Sequence, residues 1–192
     1  NFPGIYCLKI KSFNKKTADD LEDYIISFNQ EAINLLILDL RNNPGGPPLA
    51  VRQLSGMFMP EHTKLVYYEK KNTPEFGITT PSSGTHYKGT MIILINKNSG
   101  SACEILAAAF KRYKRAILMG KEPTAGQAFL KSTFKLKDGS MLAMITGSTY
   151  LFDGTPISMG GIKPDYLIPQ DIDDVLGFTI YQFQRGQKPK DK

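Results

Sequence analysis

A run of small residues places a serine where acyl-transfer chemistry is favoured. The segment Asn98-Ser99-Gly100-Ser101-Ala102 follows an apolar run at 91–95 and precedes a helical pattern at 105–113. This order predicts a buried strand, a tight turn and a helix whose first residues include Ser101. Its hydroxyl group would lie among unpaired backbone N–H groups at the positive end of the helix dipole, where negative charge is stabilised. Ser101 is therefore a candidate nucleophile, and the alternative is that it only caps the helix.

A second candidate element is the glycine-rich turn that follows the apolar run 35–40. It reads Arg41-Asn42-Asn43-Pro44-Gly45-Gly46 and precedes a predicted helix at about 49–58. Because glycine lacks a side chain, backbone N–H groups in such a turn can approach a ligand closely. The turn is either a loop that faces a ligand or an ordinary connection between a strand and a helix.

Composition excludes several classes of function. A chain of 192 residues with 41% hydrophobic and 22% charged residues is typical of one globular domain. No apolar run approaches the ~20 residues needed to cross a bilayer, so we expect no membrane-spanning segment. The net charge of +6 is dispersed and few aromatic residues lie among the basic ones, so we expect no nucleic-acid partner. The chain begins at Asn1 without a signal peptide, as a fragment or a processed product would.

The cysteines and histidines are too few to build common sites. Cys7 and Cys103 do not form a disulfide framework, and with only His62 and His86 present we expect no metal site and no cofactor. Neither histidine has an Asp or Glu at a recognisable spacing, so a Ser-His-Asp triad is possible only through the fold. Cys103 follows Ser101 by two helical residues, about 200° around the axis, and is predicted to be a core residue.

Alternating strands and helices predict one α/β domain that positions the two candidate segments. The repeated order of strand, helix and strand is that of βαβ units. The turn dipeptide Asp138-Gly139 joins two predicted paired strands. In chain order the predicted elements are a strand at 4–10, a helix at 17–29, a strand at 35–40, a helix at 49–58, short strands and a mobile loop within 60–90, a strand at 91–95, a helix at 101–113, strands at 116–119, 127–135 and 141–150, a loop at 154–165 and a helix at 171–184.

Several segments together resemble the carboxyl-terminal processing peptidases, serine endopeptidases related to the tail-specific proteases. Ser101-Ala102-Cys103-Glu104-Ile105 is similar to the Ser-Ala-Ser-Glu-Ile segment of that family. The other matching pieces, which occur in the family's order, are 39–46, 120–126, the turn at 136–140 and Gly160-Gly161-Ile162-Lys163-Pro164-Asp165. Their order and composition together are far more specific than any one of them.

The resemblance implies a ClpP/crotonase-like fold, a spiralled β-sheet flanked by helices. It implies that Ser101 is the nucleophile, and that the N–H groups of Ala102 and of Gly45 or Gly46 line an oxyanion hole. It divides the chain into a peptidase-like core at 1–168 and a C-terminal helix with a basic tail at 169–192. Unstructured proteins or peptides are the implied substrates, in a periplasmic or secreted location. Such proteases usually carry a PDZ-type module that captures the end of the substrate. None is visible within this chain, so the module either lies upstream in the parent protein or is absent.

The sequence departs from the family at the general base. The resemblance implies a lysine directly after the Gly-x-x-Thr-x-Gly turn and a glutamine four residues later, whereas this chain has Gln127 and Lys131 at those positions. A neutral amide cannot accept a proton usefully near neutral pH, so Gln127 cannot replace the lysine as a base. Three interpretations stay open: Lys131 is a displaced base, the base comes from elsewhere, with His86 the better histidine, or the domain has lost catalysis and binds peptides without cutting them.

Two further classes of function follow from the same residues. A binding module would bind peptides whether or not Ser101 is present. An acyl-thioester enzyme of the crotonase type would share the fold alone, and shared architecture is weak support for shared function.

Overall fold

Two β-sheets and three helices make up the part of the chain that the structure describes. The computed structural model describes residues 4–30, 33–70, 73–82, 87–157 and 159–168. In chain order the elements are β1 (Ile5–Lys9), α1 (Thr17–Gln30), β2 (Leu35–Asp39), α2 (Pro48–Gly56), β3 (Lys64–Lys70), β4 (Thr73–Thr79), β5 (Thr90–Ile95), α3 (Ala102–Arg112), β6 (Ile117–Gly120), β7 (Leu130–Lys135), β8 (Met141–Leu151) and β9 (Tyr166–Leu167).

The first sheet is parallel and has the strand order β1-β2-β5-β6-β9. Residues 35–38 of β2 are completely buried, as a continuous apolar run in a parallel sheet should be. Alternate residues separate into two layers: Leu36 and Leu38 join the core that contains the apolar residues of α1, α2 and α3, whereas Leu35 and Ile37 pack into a second cluster. The predicted unit β1-α1-β2 is confirmed, since the two strands are parallel neighbours joined by the helix.

The second sheet is antiparallel and has the strand order β4-β3-β8-β7. It contains the short strands predicted within 60–90, and the predicted pairing of β7 with β8 around the turn at 138–139 is confirmed. β7 begins at Leu130, three residues later than predicted, because a tight turn intervenes: Phe129 N–H donates to the Gln127 carbonyl oxygen at 2.8 Å.

The hairpin of β7 and β8 extends beyond the other two strands of this sheet. Residues 147–151 of β8 pair with β3, whereas residues 141–145 pair only with β7. We call residues 131–145 the arm. Apart from the half-buried Ser132, every arm residue is exposed, so within the described residues both faces of the arm are open.

Some predictions fall outside the described residues: the helix at 171–184, the tail within 169–192 and His86. Within the described ranges, no helix is long and apolar enough to span a membrane. The same residues contain no group of three or more His, Cys, Asp or Glu side chains arranged to hold a metal ion.

Candidate active site

The fold brings the glycine-rich turn, residues 41–46, and the segment 98–102, which we call the serine turn, together. β2 and β5 are adjacent parallel strands, with Asp39 opposite Leu94, so the segments that follow them leave the same edge of the sheet. A Cβ atom added to Gly45 would lie 2.9 Å from Ser101 Cβ and 2.8 Å from Ala102 N. Only glycine allows this approach, and Gly45 also has a φ of 97°, which other residues rarely adopt.

Ser101 has an unusual backbone conformation at the start of α3. Its φ of 54° and ψ of −121° lie outside the regions that residues with side chains normally occupy. Such geometry occurs where surrounding structure holds a residue in place, often at functional sites. The backbone N–H of Glu104 donates to the Ser101 carbonyl oxygen at 2.9 Å. Ser101 and Glu104 also form a capping box, in which the Ser101 side chain faces the Glu104 N–H and the Glu104 carboxylate accepts the Ser101 N–H, so Ser101 caps α3 as well as being the candidate nucleophile. Ser101 is half-buried, neither sealed in the core nor fully exposed.

The backbone N–H groups that are candidate oxyanion donors differ in whether they already have a hydrogen-bond acceptor. Gly45 N–H already donates to Asn43 Oδ1 at 2.8 Å. The N–H groups of Ala102 and Gly46 have no acceptor among the described residues. Among these three candidates, the N–H groups of Ala102 and Gly46 are therefore available to a ligand, whereas that of Gly45 is not.

Asn43 holds the glycine-rich turn, a role that no local sequence pattern indicates. The side chain is completely buried. Its Nδ2 donates to the Ile10 carbonyl oxygen at 2.9 Å, while its Oδ1 accepts the Gly45 N–H. Its own carbonyl oxygen accepts the N–H of Gly100 at 2.9 Å. Asn43 thus connects the end of β1, the glycine-rich turn and the serine turn.

Glu104 connects Ser101 to the segment that carries Gln127. Its carboxylate is completely buried. Oε2 accepts the backbone N–H groups of Ser101 at 2.9 Å and Gln127 at 2.7 Å. Oε1 accepts the Thr124 hydroxyl at 2.7 Å and the Gly126 N–H at 2.6 Å. Four donors satisfy a buried carboxylate that would otherwise be costly. The Ser-x-x-Glu spacing of a capping box could have pointed to this residue.

Gln127 and Lys131 occupy different surroundings. Gln127 is exposed, and its Oε1 lies 3.8 Å from the position that a Cβ on Gly100 would take, so its side chain lies beside the serine turn. Lys131 is exposed on the arm opposite Ile145, after a register shift between Leu130 and Lys131. Within the described residues, Lys131 has no ion pair and no hydrogen bond to Ser101. The structure therefore brings Gln127, but not the Lys131 amine, into the hydrogen-bonded group around Ser101.

Among the remaining candidates, Cys103 is a core residue as predicted. It is completely buried, and this burial raises the pKa of its thiol. Cys7 is exposed in β1. His62 is exposed in the turn before β3, with its Nε2 3.4 Å from Ser82 Oγ. The Cys103 N–H donates to the Gly100 carbonyl oxygen at 3.0 Å, whereas the His62 contact lies outside the serine turn.

A buried ion pair supports the end of β2, from which the glycine-rich turn departs. Arg41 donates from Nε and Nη2 to the two carboxylate oxygens of Asp39, each at 2.8 Å. Lys9 Nζ lies 3.5 Å from Asp39 Oδ2. Burial alone would raise the pKa of Asp39, but the hydrogen bonds and charge of Arg41, with the charge of Lys9, outweigh it and hold that pKa below its usual value.

Comparison with known proteins shows the family to which this chain belongs. The model of peptidase family S41 matches residues 4–168. A probable CtpA-like serine protease of Staphylococcus aureus is 32% identical over 162 residues, which cover 84% of this chain and 32% of that protein. The chloroplastic carboxyl-terminal-processing peptidase 2 of Arabidopsis thaliana is 29% identical over 170 residues, 88% of this chain and 33% of that protein. The chain thus spans about a third of the length of these relatives.

Solved structures show the same fold. A photosystem II D1 C-terminal processing protease matches with a TM-score of 0.78 and 25% identity, over 89% of this chain and 45% of that one. A putative S41 protease from Bacteroides fragilis also has a TM-score of 0.78, at 20% identity, over 95% of this chain and 54% of that one. The mixed α/β architecture, with its parallel sheet flanked by helices, is therefore the expected ClpP/crotonase-like fold. With a family model that covers all the described residues, the chain belongs to peptidase family S41, the C-terminal processing serine proteases.

Proposed function

We propose that this chain is the catalytic core of a serine endopeptidase that cleaves unstructured protein substrates near their C-termini. The observation that carries the proposal is the position of Ser101, half-buried at the start of α3, against Gly45 and beside the unengaged N–H of Ala102. In this role Ser101 Oγ attacks the substrate carbonyl carbon. The N–H groups of Ala102 and Gly46 then stabilise the oxygen that becomes negatively charged, and removal of one such donor typically costs about 3 kcal/mol.

The proposed general base is Lys131. In its neutral form it takes the proton from Ser101 Oγ and gives it to the amine that leaves, after which water hydrolyses the acyl-enzyme. Lys131 lies on the exposed arm, outside the hydrogen-bonded group around Ser101, and has no carboxylate partner among the described residues. The proposal therefore requires bound substrate to draw the arm towards Ser101 and to cover the Lys131 amine. Gln127, beside the serine turn, serves as a hydrogen-bond partner and not as a base.

A second function, peptide binding without cleavage, is favoured by one specific observation. The residue beside the serine turn, where the family resemblance implies a lysine, is Gln127. Without a base the serine remains a weak nucleophile, although the oxyanion donors and the peptide site persist. A homologue of this kind would bind the same substrates and release them uncut.

Cleavage of an unfolded protein such as reduced casein distinguishes the two functions. We expect Ser101→Ala to reduce the cleavage rate by at least about a thousandfold. Lys131→Met should reduce it by about a hundredfold or more, since this is the usual contribution of a general base. The matched control is Lys88→Met, which removes another exposed lysine and should leave the rate unchanged.

A different result would support peptide binding without cleavage. If the unaltered protein cuts no faster than Ser101→Ala while both bind the same peptides, the binding function is correct. In that case Gln127→Lys, which places an amine beside the serine turn, should create cleavage activity.

An additional substrate-binding module and the location of the full-length protein are also proposals. The named relatives are about three times longer, so a PDZ-type module that captures substrate ends is proposed upstream of this segment. An extracytoplasmic location is proposed from the family resemblance, and one relative is described as chloroplastic. Cleavage by the isolated core and by the full-length protein, compared on the same substrate, tests whether other segments choose the substrate.

A further inference from the structure

The outer edge of β7 is open in this fold. β7 is the last strand of the order β4-β3-β8-β7, and within the described residues no strand pairs with its second edge. An exposed edge presents backbone N–H and C=O groups to which an extended chain can add as a new strand. Such binding depends mainly on the backbone, which suits a substrate that is unstructured before it binds.

This edge leads to the candidate active site. β7 begins three residues after Gln127, whose side chain lies beside the serine turn at Gly100. The backbone of Gln127 is fixed by its hydrogen bond to Glu104 Oε2 at 2.7 Å, the carboxylate that also holds Ser101. A strand laid along β7 therefore has its end directed towards the serine turn.

We propose that an extended segment of the substrate binds to the outer edge of β7, and that Lys135 selects an acidic side chain in it. The inference rests on the proposed function and adds a substrate preference to it. Residues 131 and 135 lie on one face of the strand, because side chains alternate. Four residues of strand span about 13 Å, so the acidic residue lies roughly four positions from the residue opposite Lys131.

Charge and apolar surface support this preference. Lys135 is exposed and has no ion-pair partner among the described residues. On the opposite face Phe134 is 44% exposed, and Ser132 lies two residues before it. A substrate strand would place its residues alternately beside the face of β7 that carries Lys131 and Lys135 and beside the face that carries Phe134. The preferred segment therefore has acidic and apolar residues in alternation.

Edge lysines have another well-known effect, since a charge on an exposed strand discourages pairing with other chains. In that role Lys135 would repel any added strand and would not distinguish an acidic peptide from a neutral one. The two roles therefore predict different responses to a change of peptide charge.

Peptide binding to the Ser101→Ala variant tests the proposal without any need for turnover. The probes are fluorescent peptides of alternating Glu and Val, Gln and Val, or Lys and Val, measured by anisotropy. We expect the Glu-Val peptide to bind about tenfold more tightly than the Lys-Val peptide. Lys135→Glu should reverse this order, whereas the matched change Lys137→Glu, in the turn after the strand, should alter each affinity less than about twofold.

Backbone methylation of the peptide tests the added strand directly. N-methylation of one set of alternate residues should weaken binding about tenfold by removing hydrogen bonds to β7, and methylation of the other set should have little effect. Equal effects of both sets, or equal effects of Lys135→Glu and Lys137→Glu, would overturn the proposal. Failure of cleavage with intact edge binding would instead contradict the proposed catalysis alone.

Discussion

The serine turn and the arm are opposites in their packing. Around the serine turn, two completely buried polar side chains, Asn43 and Glu104, each satisfy several hydrogen bonds from different segments. On the arm, large apolar side chains such as Phe134 and Met144 are about half exposed, and no described residue covers them. The buried polar side chains around the serine turn have their hydrogen-bond partners in this structure, whereas the apolar side chains of the arm are open to a partner.

This difference separates two requirements of catalysis. Donors that stabilise a transition state must be in position before the reaction, since their reorganisation would otherwise cost energy. A surface that receives many different unfolded chains must remain accessible until one arrives. Substitutions of the residues that hold the serine turn and the glycine-rich turn should therefore have large effects on catalysis and stability, and substitutions on the arm should have small effects on stability.

The largest effect is expected from Gly45→Ala. The new Cβ would lie 2.6 Å from the Gly100 carbonyl oxygen, at a φ of 97° that alanine disfavours, so the turn must move away from Ser101. We expect a loss of cleavage of about a thousandfold and a loss of about 2–4 kcal/mol in the free energy of unfolding. The matched control is Gly154→Ala, where φ is 84° but nothing lies within 4 Å, and which should cost only about 1 kcal/mol. Equal losses from both variants would contradict the close contact.

Glu104→Gln is expected to have the next largest effect. An amide presents an N–H₂ group in place of one oxygen, so at least one backbone N–H that now donates to the carboxylate would face another donor. We expect a loss of about 2–3 kcal/mol in the free energy of unfolding, with cleavage reduced more than substrate affinity. Urea denaturation and separate kcat and KM values measure the two effects. Glu61→Gln, an exposed position, is the control, and an equal effect there would argue against a positioning role.

A low pH should weaken the ion pairs of Asp39, which lies at the end of β2 just before the glycine-rich turn. Because Arg41 and Lys9 hold the pKa of Asp39 below its usual value, its contribution to stability is complete above about pH 4 and is lost as the pH falls through the lowered pKa. We expect Asp39→Asn to cost about 1.5–3 kcal/mol at neutral pH and progressively less below pH 4, as measured by denaturation at several pH values. A cost that stays constant into acid would mean that the charge of Asp39 contributes nothing.

The smallest effect is expected on the arm. Met144, 48% exposed, should tolerate replacement by serine with a change within about 0.5 kcal/mol in the free energy of unfolding. The same replacement at Met91, 1% exposed, should cost about 2–5 kcal/mol because it leaves a cavity in the core. A large loss from Met144→Ser would show that something covers the arm in solution.

The sequence predicted most strands and helices because their patterns are local. The apolar run 35–38, the alternation along β1 and the Asp138-Gly139 turn each determine structure within a few residues. The approach of the glycine-rich turn to Ser101 was predicted through the family resemblance, and in the fold it follows from the adjacency of β2 and β5. The start of β7 was predicted too early because the turn after Gln127 depends on contacts with Glu104, which are distant in sequence.

The roles of Asn43 and Glu104 could not be read from the sequence alone. Each satisfies donors or acceptors in segments that come together only in the folded chain, and their residue types are equally common in surface turns and helix caps. For Lys131, residue spacing gives no side-chain position, because the register shift after Leu130 changes the path of the strand.

Reaction with a fluorophosphonate, which forms a covalent bond only with an activated serine, tests the central role of Ser101 most directly. Mass spectrometry of the digested adduct should locate the label on Ser101 and not on the buried Ser99, and unfolding in urea before the reaction should abolish labelling. Absence of label on Ser101 in the folded protein, or equal labelling of other serines, would contradict the assignment of Ser101 as the nucleophile.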